Sequence, residues 1–262
     1  MICKTVSVAV ATAFLMFSPS AFSQDAAPDD GSSSSPFEGK KLEDLTADDV
    51  LKLVRYSYTN YNQEFKGYLR RGITKKVEFT LRLKPESVQF FFNDPAQVIY
   101  LDTKNKSFSL FEGVGGKDLQ PVAPERYGEK IRGTDATYDD LSMRFLYWPN
   151  PKIVQESKLK GRDTWLVRVI NPDGRGNYAT VDCWVDKATG GLLRMLGYNR
   201  GGRPIRRLEV VGGKKFDDIW MVDEMKIEQL SPSSVKSGKG PSGATRISET
   251  RIRITEKVKA AQ

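Results

Sequence analysis

Between Glu64 and Thr255, apolar and polar residues alternate with a period of two in one short run after another, a pattern that commits most of the chain to strands. Val77, Phe79, Leu81 and Leu83 alternate with Glu78, Thr80 and Arg82, and Val88, Phe90 and Phe92 with Gln89 and Phe91. Runs at 98–101 and 108–111 follow, and Lys84-Pro-Glu-Ser, Asn93-Asp-Pro, Asp102-Thr-Lys-Asn-Lys and Gly113-Val-Gly-Gly punctuate them as turns. Six further strands are expected at 164–170, 178–185, 192–198, 205–211, 221–229 and 246–255. No stretch is left for the long crossover helices of βα units, so the sheet is expected to be antiparallel. So many sequential strands in one domain must close, split into two layers or wrap around something.

Helical signals are brief. Thr46, followed three residues later by Asp49, resembles a capping box, and Leu51, Val54 and Tyr58 continue at helical spacing, which predicts a short amphipathic helix ending near residue 58. A second helix is expected at 138–148, ended by Pro149.

The first residues carry one positive charge at Lys4, an apolar run from Val6 to Phe17, and small residues at Ala21 and Ser23. These are the three regions of a secretory signal, and the run is too short to span a bilayer comfortably. Residues 1–23 are therefore expected to be removed near Ser23 on export to the periplasm. Cys3 lies before the apolar run, not after it where a lipid-modified cysteine would sit. Residues 24–41, with Asp-Ala-Ala-Pro-Asp-Asp-Gly and four serines, have the composition of a disordered linker. Residues 42–262 then form one β domain. The chain has 41 Lys and Arg against 33 Asp and Glu. Loss of Lys4 leaves a net charge of +7, which favours anionic partners such as phospholipid headgroups or acidic proteins, while export argues against nucleic acid.

The 262 residues contain no histidine, the commonest general base and metal ligand, and only Cys183 remains beyond the signal. Neither a disulfide framework nor a Cys/His metal site can be assembled, and no metal or cofactor is expected. There is no G-x-S-x-G elbow, no phosphate-binding G-x-x-x-x-G-K-[ST] loop and no G-x-G-x-x-G after a strand. The Gly113–Lys117 cluster reads as a hairpin connection. Asp139-Asp140 and Asp217-Asp218 are adjacent pairs in turn-like contexts and read as caps and turns. Cys183, between Asp182 and Trp184, reads as an inert buried thiol. The basic clusters Arg70-Arg71, Lys75-Lys76, Arg203-Arg206-Arg207 and Arg246, Arg251, Arg253 read as a solvated face, or as an electropositive rim for anionic lipid headgroups or a partner. The Lys236–Gly240 segment reads as a mobile loop.

The stretch Arg132-Gly-Thr-Asp-Ala-Thr-Tyr-Asp-Asp-Leu141 resembles the G-[ST]-D-x-[ST]-Y-[DE]-D signature of the LolA-like outer-membrane lipoprotein-sorting proteins. The order that follows is also similar: Lys158-Leu-Lys-Gly-Arg-Asp-Thr-Trp, then Tyr178, then Trp184-Val-Asp-Lys-Ala-Thr-Gly-Gly, Tyr198-Asn-Arg-Gly-Gly-Arg and Ile219-Trp-Met-Val-Asp-Glu. The resemblance covers about residues 125–255. Val222 stands where that family often has proline, and the last strand, Arg246-Ile-Ser-Glu-Thr-Arg-Ile-Arg-Ile, lacks the usual closing Phe. The resemblance implies an open, curved antiparallel β half-barrel, mainly β within α+β, whose concave apolar face is plugged or covered by short helices and holds acyl chains.

A half-barrel of this kind needs a helix or an acyl chain to fill it. At about 0.8 kcal/mol per buried methylene, one long chain offers on the order of ten kcal/mol, much of it offset by displacing the helix. Candidates for the lined face are Phe79, Leu81, Phe90, Phe92, Tyr100, Leu110, Trp165, Val167, Cys183 and Met195, although alternation alone does not distinguish a cavity lining from closed core. The expected function is a monomeric, non-enzymatic periplasmic carrier or chaperone for lipid or acylated lipoprotein, working between an inner-membrane transporter and an outer-membrane acceptor. The alternative is an envelope sensor or regulatory module of the same fold that binds a protein partner. A lipid hydrolase is a third class, disfavoured because no nucleophile and base pair can be assembled without histidine.

Overall fold

The computed structural model describes residues 44–59, 62–104, 108–217, 219–231 and 244–258. The expected signal at 1–23, the linker at 24–41 and the loop at 236–240 lie outside the described residues. The strand expectation holds: a mostly β domain carries one antiparallel sheet, curved and unclosed, with a few short helices on it.

The strands are β1 Gln63–Arg71, β2 Lys75–Lys84, β3 Ser87–Phe92, β4 Gln97–Asp102, β5 Ser109–Val114, β6 Gln120–Pro121, β7 Lys152–Leu159, β8 Arg162–Ile170, β9 Thr180–Asp186, β10 Leu192–Tyr198, β11 Pro204–Phe216, β12 Ile219–Ser231 and β13 Thr245–Lys257. Their order is β6-β5-β4-β3-β2-β1-β13-β12-β11-β10-β9-β8-β7. The first and last strands therefore pair in the middle of the sheet, and two meanders extend from that seam as arms. The six strands expected from residue 164 onward all form, as does the glycine hairpin: Val114 ends β5, and Gly115 and Gly116 adopt φ of 64° and 75°, a region open to residues without a Cβ. At the other hairpin, Asp217 turns the chain between β11 and β12 with φ 52°, matching the turn role read for it.

Helix α1, Ala47–Thr59, starts on the capping box expected from the sequence. The Thr46 hydroxyl accepts from the Asp49 amide at 3.2 Å, while the Asp49 carboxylate accepts from the Thr46 amide at 3.2 Å. The expected helix at 138–148 is divided. Helix α2 spans only Tyr138–Ser142; Met143 turns left-handed at φ 46°, and a 3-10 turn covers Arg144–Tyr147. Trp148 is extended, as a residue preceding proline tends to be. A second 3-10 turn occupies Pro124–Gly128.

Because β6 and β7 occupy opposite edges of the sheet, residues 122–151 must carry the chain from one edge to the other. They do so over one face, which is also the face covered by α1. Val50, Leu51 and Val54 of α1 are buried, and the helix packs against β2 in one arm and β7 and β8 in the other. Among the described residues no helix is long and apolar enough to cross a membrane.

Candidate binding face

The covered face is apolar across both arms. In one, Phe65, Leu81, Phe90 and Ile99 lie side by side on β1 to β4, and Leu83, Val88, Leu101 and Leu110 on β2 to β5. In the other, Val167, Cys183, Met195, Leu208 and Ile227 form an unbroken row over β8, β9, β10, β11 and β12. All of these side chains are buried. Phe79 stacks edge-on against Phe90 at 5.4 Å and Phe92 at 6.1 Å between ring centroids. Gly67, opposite Phe79, leaves room for that ring: a Cβ there would come within 2.8 Å of it.

Of the residues singled out from the sequence, Phe79, Leu81, Phe90, Phe92, Leu110, Trp165, Val167, Cys183 and Met195 share this face. Tyr100 does not. It is opposite Gln89 and Phe111 and sits half-buried on the outer face, its ring 5.9 Å from that of Phe111. In β4 the buried residues are Ile99 and Leu101, each one residue from Tyr100, and one residue along a strand reverses the face. The nine inward residues are packed beneath the protein's own elements. Two grooves lie elsewhere: one of about 430 Å³ beside the start of α1 and Trp148, the other of about 680 Å³ over the ends of β1 and β13.

The segment crossing the face is pinned by buried charges. Asp135 is fully buried; its amide donates to the Thr250 hydroxyl of β13 at 2.8 Å, and Arg71 and Lys130 each approach its carboxylate to 3.2 Å. Burial alone would raise its pKa, but hydrogen bonds from Ser248 and Lys130 and the charge of Arg71 prevail and hold it below the usual value. Asp140 completes a capping box with Thr137, accepts the Tyr178 hydroxyl, and lies 3.6 Å from Arg206 of β11. Asp139 pairs with Arg144 and accepts the Asn177 amide at 2.9 Å; burial pushes its carboxyl upward despite the adjacent guanidinium. Glu112 of β5 accepts from the Tyr138 hydroxyl and from Arg126. Arg132 donates to the carbonyls of Asp94 and Pro95 and to Gln97, clamping the β3–β4 turn.

The cap role read for Asp139-Asp140 thus holds, but the two carboxylates also fasten the crossing segment to distant strands. Arg206, counted among the solvated cations, is instead buried. The signal was present: Arg206 shares its parity on β11 with the inward Leu208. Around Asp140, the Tyr178 ring lies directly over Gly197, where a Cβ would come within 2.5 Å of it. No group of three metal-ligating side chains occurs among the described residues.

Comparison with known proteins follows the same lines. The model of a family described as "-like: Uncharacterized protein" matches residues 117–256, more than half of the chain and the part that runs from before the crossing segment through β13. No curated protein matches the sequence. Among solved structures, the fold is similar to an outer membrane lipoprotein-sorting protein domain from Vibrio parahaemolyticus, with TM-score 0.57, 15% identity, and 79% of this chain and 91% of that one covered. It is similar also to a LolA superfamily protein from Nitrosomonas europaea, with TM-score 0.58, 12% identity and coverage of 81% and 93%. A DUF1329 family protein from Desulfovibrio piger follows with TM-score 0.52, 14% identity and coverage of 81% and 92%. The chain therefore belongs to that uncharacterized-protein family, and its fold is that of the LolA-like, outer-membrane lipoprotein-sorting proteins.

Proposed function

We propose that the protein is an exported envelope carrier that holds the acyl chains of a lipid or lipoprotein against the covered face, moving them toward the outer membrane without chemistry of its own. The observation carrying this reading is that one helix, α1, bridges both arms of an unclosed sheet over continuous apolar rows. Such a helix is the group an acyl chain would replace. Burial of Val50, Leu51 and Val54 gives α1 on the order of 5 kcal/mol of hold, and a long acyl chain offers a comparable or larger sum. That near-balance makes loading reversible. The crossing segment, tied down by Asp135, Asp139 and Asp140, stays as the floor. The absence of chemistry is consistent with how the polar groups are engaged: these carboxylates face cations and hydroxyls, and burial holds the Cys183 thiol far above its ordinary pKa, where it is not a nucleophile. The fold relatives named for lipoprotein sorting support the same class of cargo.

The test uses Trp165, which lies on the covered face, in a variant whose other three tryptophans, Trp148, Trp184 and Trp220, are replaced by phenylalanine. Adding a fatty acid brominated along its chain should quench Trp165 emission, saturably and near stoichiometry. Unchanged emission with the brominated and plain fatty acids alike would refute the reading.

A further inference from the structure

The tip of the β1–β2 hairpin reads Arg70-Arg-Gly-Ile-Thr-Lys-Lys76, and Ile73 at its apex is 89% exposed. An isoleucine is an unfavourable residue to leave in water at a hairpin tip, and here two cations precede it and two follow. Across the seam, Arg246 and Ile247 lie near the start of β13, the latter 61% exposed. Between them lies the 680 Å³ groove, whose walls include Arg70, Arg71, Arg246, Arg251 and Arg253 against only Glu224 and Glu249.

The outer-face register concentrates charge further. Arg70 sits directly opposite Arg251 on one side and Lys76 on the other. Like charges in directly opposed positions cost a sheet stability. Arg251 is paired, with Glu224 at 2.6 Å and Glu249 at 2.8 Å, and Lys76 with Glu78 at 2.7 Å. Arg70 donates only to the Gly72 carbonyl, at 3.3 Å, and has no carboxylate partner among the described residues.

We propose that this corner of the protein docks on a bilayer surface rich in anionic phospholipid, with Ile73 and Ile247 entering the headgroup boundary and the surrounding arginines and lysines meeting phosphates. An acidic protein patch would satisfy the cations but gives no use to two bare isoleucines. A bilayer interface accepts both, because long cationic side chains lie along the interface while their heads stay hydrated. The site is the hairpin tip with the outer face of β1 and β13, Arg71 being turned inward to Asp135, and it does not rest on the cargo reading. A carrier so equipped would reach a membrane with its covered face turned away from the contact strands.

The test places an environment-sensitive dye at residue 73 through Ile73→Cys in the full chain with Cys3→Ser; Cys183 is buried and remains unlabelled. Because residue 73 is exposed at a turn, the substitution leaves the fold intact. Vesicles of phosphatidylcholine containing phosphatidylglycerol should shift the dye emission to the blue, whereas phosphatidylcholine alone should not. Adding Arg70→Gln, Lys75→Gln and Lys76→Gln should weaken the vesicle partition by about a hundredfold, at roughly a factor of five for each cation lost near an anionic surface. The proposal is overturned if the dye stays as in water on phosphatidylglycerol vesicles, or if its shift is equal on neutral vesicles or unaffected by the three neutralisations.

Discussion

Asp140→Ala is expected to lower the free energy of unfolding by about 3–5 kcal/mol, a large part of the 5–15 kcal/mol typical of a domain. The carboxylate serves three partners: it closes the capping box with Thr137, accepts the buried Tyr178 hydroxyl, and faces the buried Arg206 guanidinium. Alanine keeps the bond from the residue-140 amide to the Thr137 hydroxyl but removes the reciprocal half of the capping box, leaves the buried Tyr178 hydroxyl without its acceptor and takes the nearby negative charge from the buried Arg206, and breaking one side of a buried pair costs more than the pair itself contributes. Asp140→Asn has one acceptor oxygen in place of two, so it keeps either the bond from the Thr137 amide or that from the Tyr178 hydroxyl, and its cost should be smaller than that of alanine, about 1–3 kcal/mol. Urea unfolding followed by circular dichroism measures both. If the alanine variant unfolds within 1 kcal/mol of the wild type, on the scale of an ordinary surface substitution, the crossing segment is not pinned as described.

Leu51→Ala should separate stability from binding. Leu51 is a fully buried residue of α1, and its truncation should cost the unliganded protein about 2–4 kcal/mol. If α1 leaves the covered face when an acyl chain enters, the loaded protein no longer depends on that contact. The cost of displacement then falls, and the apparent affinity for a fatty acid should rise by about tenfold or more. Val167→Ala, on the sheet itself, lacks this asymmetry: it should weaken both the fold and the binding, since Val167 would touch either occupant. Thermal unfolding and fatty-acid titration on the two variants read both quantities. Equal losses of affinity in the two would mean that α1 is a fixed part of the core.

How much of this was legible follows from what alternation encodes. It reports which residues share a face, and so β2, β3, β8 and β9 were visible as strands with their inward residues. β7 was missed because an edge strand exposed on both sides has no reason to alternate: Lys152 to Gln155 are all exposed. Tyr100 was misassigned in a run, Val98-Ile-Tyr-Leu101, that is apolar throughout and carries no parity of its own; the register with Phe90 and Leu110 decides it. The break at Met143 has no glycine or proline to announce it. The polar anchors were the least visible. Asp135 and Thr250 are 115 residues apart, and Asp140 meets Tyr178 and Arg206 only once the sheet has formed, so the signature segment could be recognised as a motif but not read as a buried network. The apolar occupant of the face is likewise set by topology: α1 can cover both arms because β1 and β13 join them, which no local pattern records.

The central claim, that the covered face of this sheet holds an acyl chain, is tested most directly by native mass spectrometry of the protein purified from the bacterial envelope, followed by denaturing extraction of whatever accompanies it. The account predicts a discrete added mass that is released on unfolding and identified as a phospholipid or an acylated peptide. A bare protein mass that stays bare after incubation with lipid would contradict it.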